Sequence, residues 1–232
     1  MKRPHFVYSW AAMADIIPEI SGSTIVLIGS FNPKIFQPEW FARQQLLPQA
    51  EVDASEIKLI VPQVSHFETE RFIVQVTEDR FTASSKPSAN PAPLRDVVQG
   101  AFFILEHTPV TAMGLNCSMH FAVESQDRWH QIGNRLAPKD GWQEVLEGRP
   151  GLLSMTILSE KEKPKGSQFR IKVEPSVLVS TGVYFETNEH YPAPDAEPLK
   201  GLMGILGERW EESQNYATRV VNHILAWATS RK

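Results

Sequence analysis

The sequence predicts an α+β fold, antiparallel sheets backed by helices on one face, ordered as two similar β-β-β-α halves with a long C-terminal helix. Three observations predict it. Residues 111–123 alternate strictly, with Thr111, Met113, Leu115, Cys117, Met119, Phe121 and Val123 on one side and smaller or polar residues on the other, the period of a strand. The order strand, strand, strand, loop, helix occurs twice, and Phe72-Ile73-Val74-Gln75-Val76-Thr77 resembles Phe169-Arg170-Ile171-Lys172-Val173-Glu174. Residues 198–228 carry Leu202, Leu206, Trp210, Ala217, Val221, Ile224 and Ala228 along one helical side. Regular strand–helix–strand alternation is missing, which argues against a doubly wound parallel sheet.

Residues 24–28 are β-branched and apolar, ended by Gly29 and Asn32-Pro33, and read as a buried strand. Pro38 opens a helix over 39–47, closed by Pro48. Strands are expected at 57–64, 71–76 and 81–84, with Thr77-Glu78-Asp79-Arg80 as the turn into the third. The loop 86–93 feeds a helix with Leu94, Val97, Val98, Ala101, Phe102 and Leu105 at three- and four-residue steps.

The long alternating strand comes next. Asp127 is expected to cap a helix carrying Trp129, Ile132 and Leu136, and Asp140 a short one carrying Trp142, Val145 and Leu146. Strands are then expected at 152–158, 169–174 and 178–186, the charged tip 159–167 joining the first two. The halves divide at 1–125 and 126–232, in one compact unit. The echo between them is either a true duplication or the alternation that any two hairpins share.

Composition bounds the function. With 232 residues, 42% hydrophobic and 22% charged, the chain can bury a core and is not a disordered tail. A net charge of −4 argues against a general nucleic-acid binder, and lysines 161, 163 and 165 alternate with glutamate or proline rather than forming a basic stripe. One cysteine excludes a disulfide scaffold and multi-cysteine metal sites. Met1-Lys2-Arg3-Pro4-His5 starts like a signal peptide, but Ser9, Asp15, Pro18 and Glu19 leave no apolar core of the needed length behind it. No apolar run approaches a membrane span, so the expected location is the cytoplasm.

The usual catalytic signatures are missing from the sequence. There is no P-loop, no Gly-x-Gly-x-x-Gly after a strand, no Gly-x-Ser-x-Gly and no His-Glu-x-x-His among the seven histidines. No cofactor or metal is expected. Gly201, Gly204 and Gly207 read as close helix packing rather than a phosphate cradle, and Cys117 as a core thiol.

Three polar groups are candidate ligand or partner sites. Asn116, Ser118 and His120 line the small face of the long strand, as a solvated sheet face or the floor of a groove. His130 and Asn134 fall one helical turn apart, and Arg128 and Arg135 two turns apart, a pattern that suits an anion or an ordinary wet face. Asn188-Glu189-His190-Tyr191 is placed just beyond the last strand, where Asn188 and His190 serve a ligand or the segment is a structural turn.

Ile28-Gly29-Ser30-Phe31-Asn32-Pro33 with Pro38-Glu39-Trp40-Phe41, then residues 107–116 and 129–139, together resemble a widespread family of uncharacterised bacterial proteins. That resemblance implies a bacterial protein and brings no activity. The leading expectation is a non-catalytic binding or assembly protein acting through protein–protein contact, with Trp142, Trp210 and Trp227 adding partner surface. A homodimer is expected because antiparallel meanders leave edges. The alternative is a small-molecule enzyme or sensor using His120, His130 or His190 in a polar cleft between the halves. No nucleic-acid or membrane partner is expected.

Overall fold

In the computed structural model, which describes residues 16–162 and 164–230, the alternating segment is the hub of the architecture. The expectations at residues 1–15 and at Lys163 lie outside the described residues. The strands are β1 (Ile20–Gly29), β2 (Glu56–Val61), β3 (Val64–Glu68), β4 (Phe72–Thr77), β5 (Arg80–Ser85), β6 (Val110–Ala122), β7 (Met155–Glu160), β8 (Gln168–Pro175) and β9 (Gly182–Pro192). The helices are α1 (Pro38–Arg43), α2 (Gln49–Asp53), α3 (Ala92–Ile104), α4 (Gln126–Leu136), α5 (Asp140–Gln143) and α6 (Pro198–Thr229). All nine strands form one sheet in the order β2-β3-β4-β5-β1-β6-β9-β8-β7, every pairing antiparallel. The α+β class with a long C-terminal helix is therefore the one found.

The β1–β6 pair is the seam of the sheet, both strands lying within 1–125, and a meander extends outward from each of them. Counted from that seam, β5 and β9 are first neighbours and β4 and β8 second, so the Phe72 and Phe169 segments occupy equivalent places. Each meander is followed by a helix, α3 or α6, that returns across the same face.

That face is apolar because the strand period puts it there. Ile25 and Leu27, Phe81 and Ala83, Met113 and Leu115, and Val183 and Phe185 are all buried on it. The first core gathers Phe31, Phe36, Phe81 and Phe102, with ring centroids 4.9–6.5 Å apart, against Leu206 and Trp210 of α6. The second gathers Met119, Phe121, Phe169 and Phe185 against Ala217, Val221 and Leu225 of the same helix. At 32 residues, α6 is about 48 Å long and serves both. Where it crosses from one core to the other it carries Ser213 and Gln214, and Gln214 Oε1 accepts from Ser23 Oγ at 2.6 Å and Cys117 Sγ at 3.0 Å. Burial pushes the Cys117 thiol up to about 11, the state of an inert core cysteine.

Several local expectations are corrected. The run expected at 57–64 is the strand β2 and the start of a further one, β3, because Pro62-Gln63 turns the chain between them. The helix expected over 39–47 stops at Arg43, and Gln45 takes a φ of 60° before α2 begins. Ser125, not Asp127, caps α4, its Oγ accepting the Arg128 N–H at 3.2 Å. Asp140 lies inside α5, whose N-cap Lys139 makes no side-chain cap bond. Residues 178–181 are a turn, not strand; Thr181 has a φ of 52°, and β9 runs on to Pro192. Trp210 is 1% exposed and belongs to the core, so it offers no partner surface. Gly201 and Gly207 do mark close packing, against Pro194 and Gln99, while Gly204 has open space beside it.

Candidate functional site

The described helices leave the second face of the sheet uncovered, and the small polar residues of β6 lie at its centre. Asn116 sits opposite Thr24 of β1 and Asn188 of β9, and Asn188 opposite Arg170 of β8. One row along, Gly114 sits between Val26 and His190. These rows enclose an open cleft of about 400 Å³ at the seam of the sheet, with Ile28, Arg80, Lys172 and Glu186 also on its walls. That volume falls within the ordinary range for small-ligand sites.

Asn188 Nδ2 donates to Asn116 Oδ1 at 2.5 Å, so each amide keeps hydrogen-bonding capacity for a ligand. A Cβ on Gly114 would lie 2.9 Å from Asn188 Nδ2, so only glycine leaves the floor clear. Lys172 is bound to Glu186 at 3.1 Å and Glu174 at 3.3 Å, and the Glu186 bond holds its pKa above the usual lysine value. Arg80 and Arg170 have no carboxylate within ion-pair distance among the described residues; Arg170 donates to Gln168 Oε1 at 2.9 Å. Burial, reinforced by the Arg170 charge, holds His190 below the ordinary imidazole range, so it is neutral at neutral pH. The free charge of the cleft is therefore positive.

Of the residues singled out in the sequence, the structure brings together Asn116, Asn188 and His190. The placement of the last two is itself a correction. They lie inside β9, not beyond the last strand, and alternation sends Asn188 and His190 to the open face while Glu189 and Tyr191 enter the core. His120 shares the open face but lies six positions along, opposite Tyr184, about 20 Å from the His190 row. It is 8% exposed, bonded through Nδ1 to Ser176 Oγ at 2.8 Å and stacked on Tyr184 at 4.5 Å between centroids.

His130 and Arg135 lie elsewhere, on α4 in the helix layer. The His130 ring meets Trp129 edge-on at 5.0 Å beside a small cavity of about 110 Å³, and the Arg135 guanidinium covers the Trp227 ring at 5.0 Å. The three histidines share no cavity. Sequence reasoning missed Arg80 and Arg170; for Arg170 the Arg170-Lys172-Glu174 alternation against Phe169-Ile171-Val173 was the available signal.

No group of three or more His, Cys, Asp or Glu among the described residues is placed to hold a metal ion. No helix among them is long and apolar enough to cross a membrane. Compared with known proteins, the chain matches no family model and no curated protein.

Proposed function

We propose that this is a non-catalytic binding protein that acts through protein–protein contact, as a homodimer joined along the β7 edge. The supporting observation is a difference between the two edges of the sheet. Natural edge strands carry bulges, charges or prolines that prevent pairing. β2 has such protection: its register shifts between Ile57 and Leu59, and Lys58 pairs with Glu56 at 2.6 Å and Glu68 at 3.7 Å. β7 has none along Met155-Thr156-Ile157-Leu158-Ser159, and its register with β8 is unbroken. Ile157 is 52% exposed and Leu158 51%, one toward each face.

A two-fold axis normal to the sheet at Ile157 pairs Ile157 with its own copy and Thr156 with Leu158. This keeps the helices of both subunits on one side and extends the sheet across the dimer. Light scattering tests the reading: the expected mass is twice 26.2 kDa, and a mass of 26.2 kDa across a wide concentration range would end it.

The seam cleft favours a second reading, a sensor of a small organic anion held between Arg80 and Arg170. Calorimetric titration with adipate should then show saturable binding that Arg170→Gln weakens; titrations without heat, confirmed by ligand-observed NMR, would remove it.

A further inference from the structure

The core side of β9 holds a group that the cleft does not use. Glu189 is a carboxylate in the sheet interior, its side chain 5% exposed. One oxygen accepts from Tyr191 OH at 2.5 Å, and the other is ion-paired with Lys161, the first residue after β7. The Lys161 ammonium stands over three rings, 5.9 Å from Phe169, 5.9 Å from Tyr191 and 5.2 Å from Tyr216. A carboxylate with several aromatic faces turned on one cation is the arrangement by which proteins recognise alkylated ammonium groups.

Open space adjoins the Tyr216 side of the cage. A cavity of about 330 Å³ opens beside Lys161 and Glu189 toward Glu162, Arg209, Glu212 and Ser213. Arg209 is already engaged by Glu212. With Lys161 withdrawn, the carboxylates of Glu162, Glu189 and Glu212 outnumber Arg209, so the space favours a cation. Lys161 can withdraw by turning its four-carbon stem, which is 26% exposed, while its backbone N–H stays on Ser167 O at 2.9 Å.

We propose that Glu189 and the rings of Phe169, Tyr191 and Tyr216 form a recognition site for an alkylammonium group, filled by Lys161 in the free protein and open to takeover by an external organic amine. The proposal is independent of the β7 dimer. The bland role of the same contact is to pin the hairpin tip, and external amines separate the two.

The probe is n-butylammonium, which matches the lysine stem and head, titrated at constant ionic strength against sodium chloride. In the wild type it should bind saturably, with shifts in the backbone amides of Lys161, Glu162 and Ser167 as the lysine side chain lets go. Lys161→Ala should bind it about tenfold or more tighter, because the tethered competitor is gone. Where the alanine variant is recovered unfolded, Lys161→Gln, with a neutral head that cannot form the ion pair, gives the same comparison. Glu189→Gln, which keeps the shape and removes the charge, should lose the binding. Absence of saturable binding in the wild type overturns the proposal, as does an affinity unchanged by the Lys161 variants or undiminished by Glu189→Gln in a folded protein.

Discussion

Ser176 fixes the protonation state of His120. Its Oγ accepts the N–H groups of Leu178 at 3.2 Å and Val179 at 2.9 Å, which occupies both lone pairs. The hydroxyl proton is therefore donated to His120 Nδ1, and the imidazole is neutral with its proton on Nε2. Burial pushes in the same direction, holding the His120 pKa below its ordinary 6.5. The unfolded chain binds this proton more readily than the folded one, so stability rises with pH. The contribution is full above about 6.5 and is lost as pH falls from there toward the lower folded-state pKa. His120→Leu should cost about 1–3 kcal/mol at neutral pH by stranding the Ser176 hydroxyl. It should also lose less than the wild type on acidification. Urea midpoints at about pH 8 and about pH 5 compare the two slopes; parallel losses would mean that His120 is not a source of acid sensitivity.

Two glycines of the central pair should respond differently to a methyl group. A Cβ on Gly29 would lie 2.2 Å from Pro109 O, against backbone, where the register shifts between Ile28 and Gly29. Gly29→Ala should cost about 1–3 kcal/mol as the chain moves aside. On Gly114 the nearest atom is Asn188 Nδ2, the end of a side chain that can swing. Gly114→Ala should cost about 0.5–1.5 kcal/mol, the value of the Asn188–Asn116 hydrogen bond. Denaturant midpoints rank the pair, and the opposite order would place the crowding wrongly.

What was legible in the sequence was local periodicity; what was not depended on strand order. The β6 alternation gave its buried side from Met113 to Phe121, but where the register with β1 shifts Val110 is buried and Thr111 exposed; α6 gave its stripe. β3 was hidden because Val64-Ser65-His66-Phe67-Glu68 buries only Ser65 and Phe67 and comes two residues after β2. The start of β9 was misread because Val177, Leu178 and Val179 look like strand, yet Val177 is 93% exposed in the turn. Trp210 reads as surface or core from sequence alone, since burial depends on which strands lie beneath α6. The cleft joins Arg80 of β5 to Arg170 of β8 across three intervening strands, and no spacing along the chain encodes that neighbourhood. Nor does any spacing show that Lys161 reaches Glu189.

Adjacent residues of β6 should behave as opposites. Leu115 is 1% exposed in the first core, and Leu115→Asp places an unpaired carboxylate there. The cost should be several kcal/mol, a large share of a typical stability of about 5–15 kcal/mol. Asn116 faces the cleft, half-buried, so Asn116→Ala should cost no more than about 1.5 kcal/mol, the value of its bond to Asn188. Circular-dichroism melts read both; a cooperative, wild-type melt for Leu115→Asp would show that the face or the burial of the strand is wrong.

Placing a lysine on each edge in turn locates the dimer interface. In the two-fold pairing, Ile157→Lys sets like charges directly opposite each other across the new strand pair, which is destabilising. Each lysine also stands where an unpaired edge is ordinarily protected. Because Ile157 is 52% exposed, the folded subunit should lose no more than about 0.5 kcal/mol. The variant should therefore keep its melting cooperativity and scatter as a 26.2 kDa species. Ile57→Lys, at a position 53% exposed on the bulged and charged β2 edge, adds a charge where pairing is already blocked. It should leave the dimer intact. A monomer from Ile57→Lys together with a dimer from Ile157→Lys would move the interface to β2. Dimers from both would mean that the subunits meet through a surface other than the sheet edges, and Phe103, 83% exposed at the end of α3, would be the next residue to change.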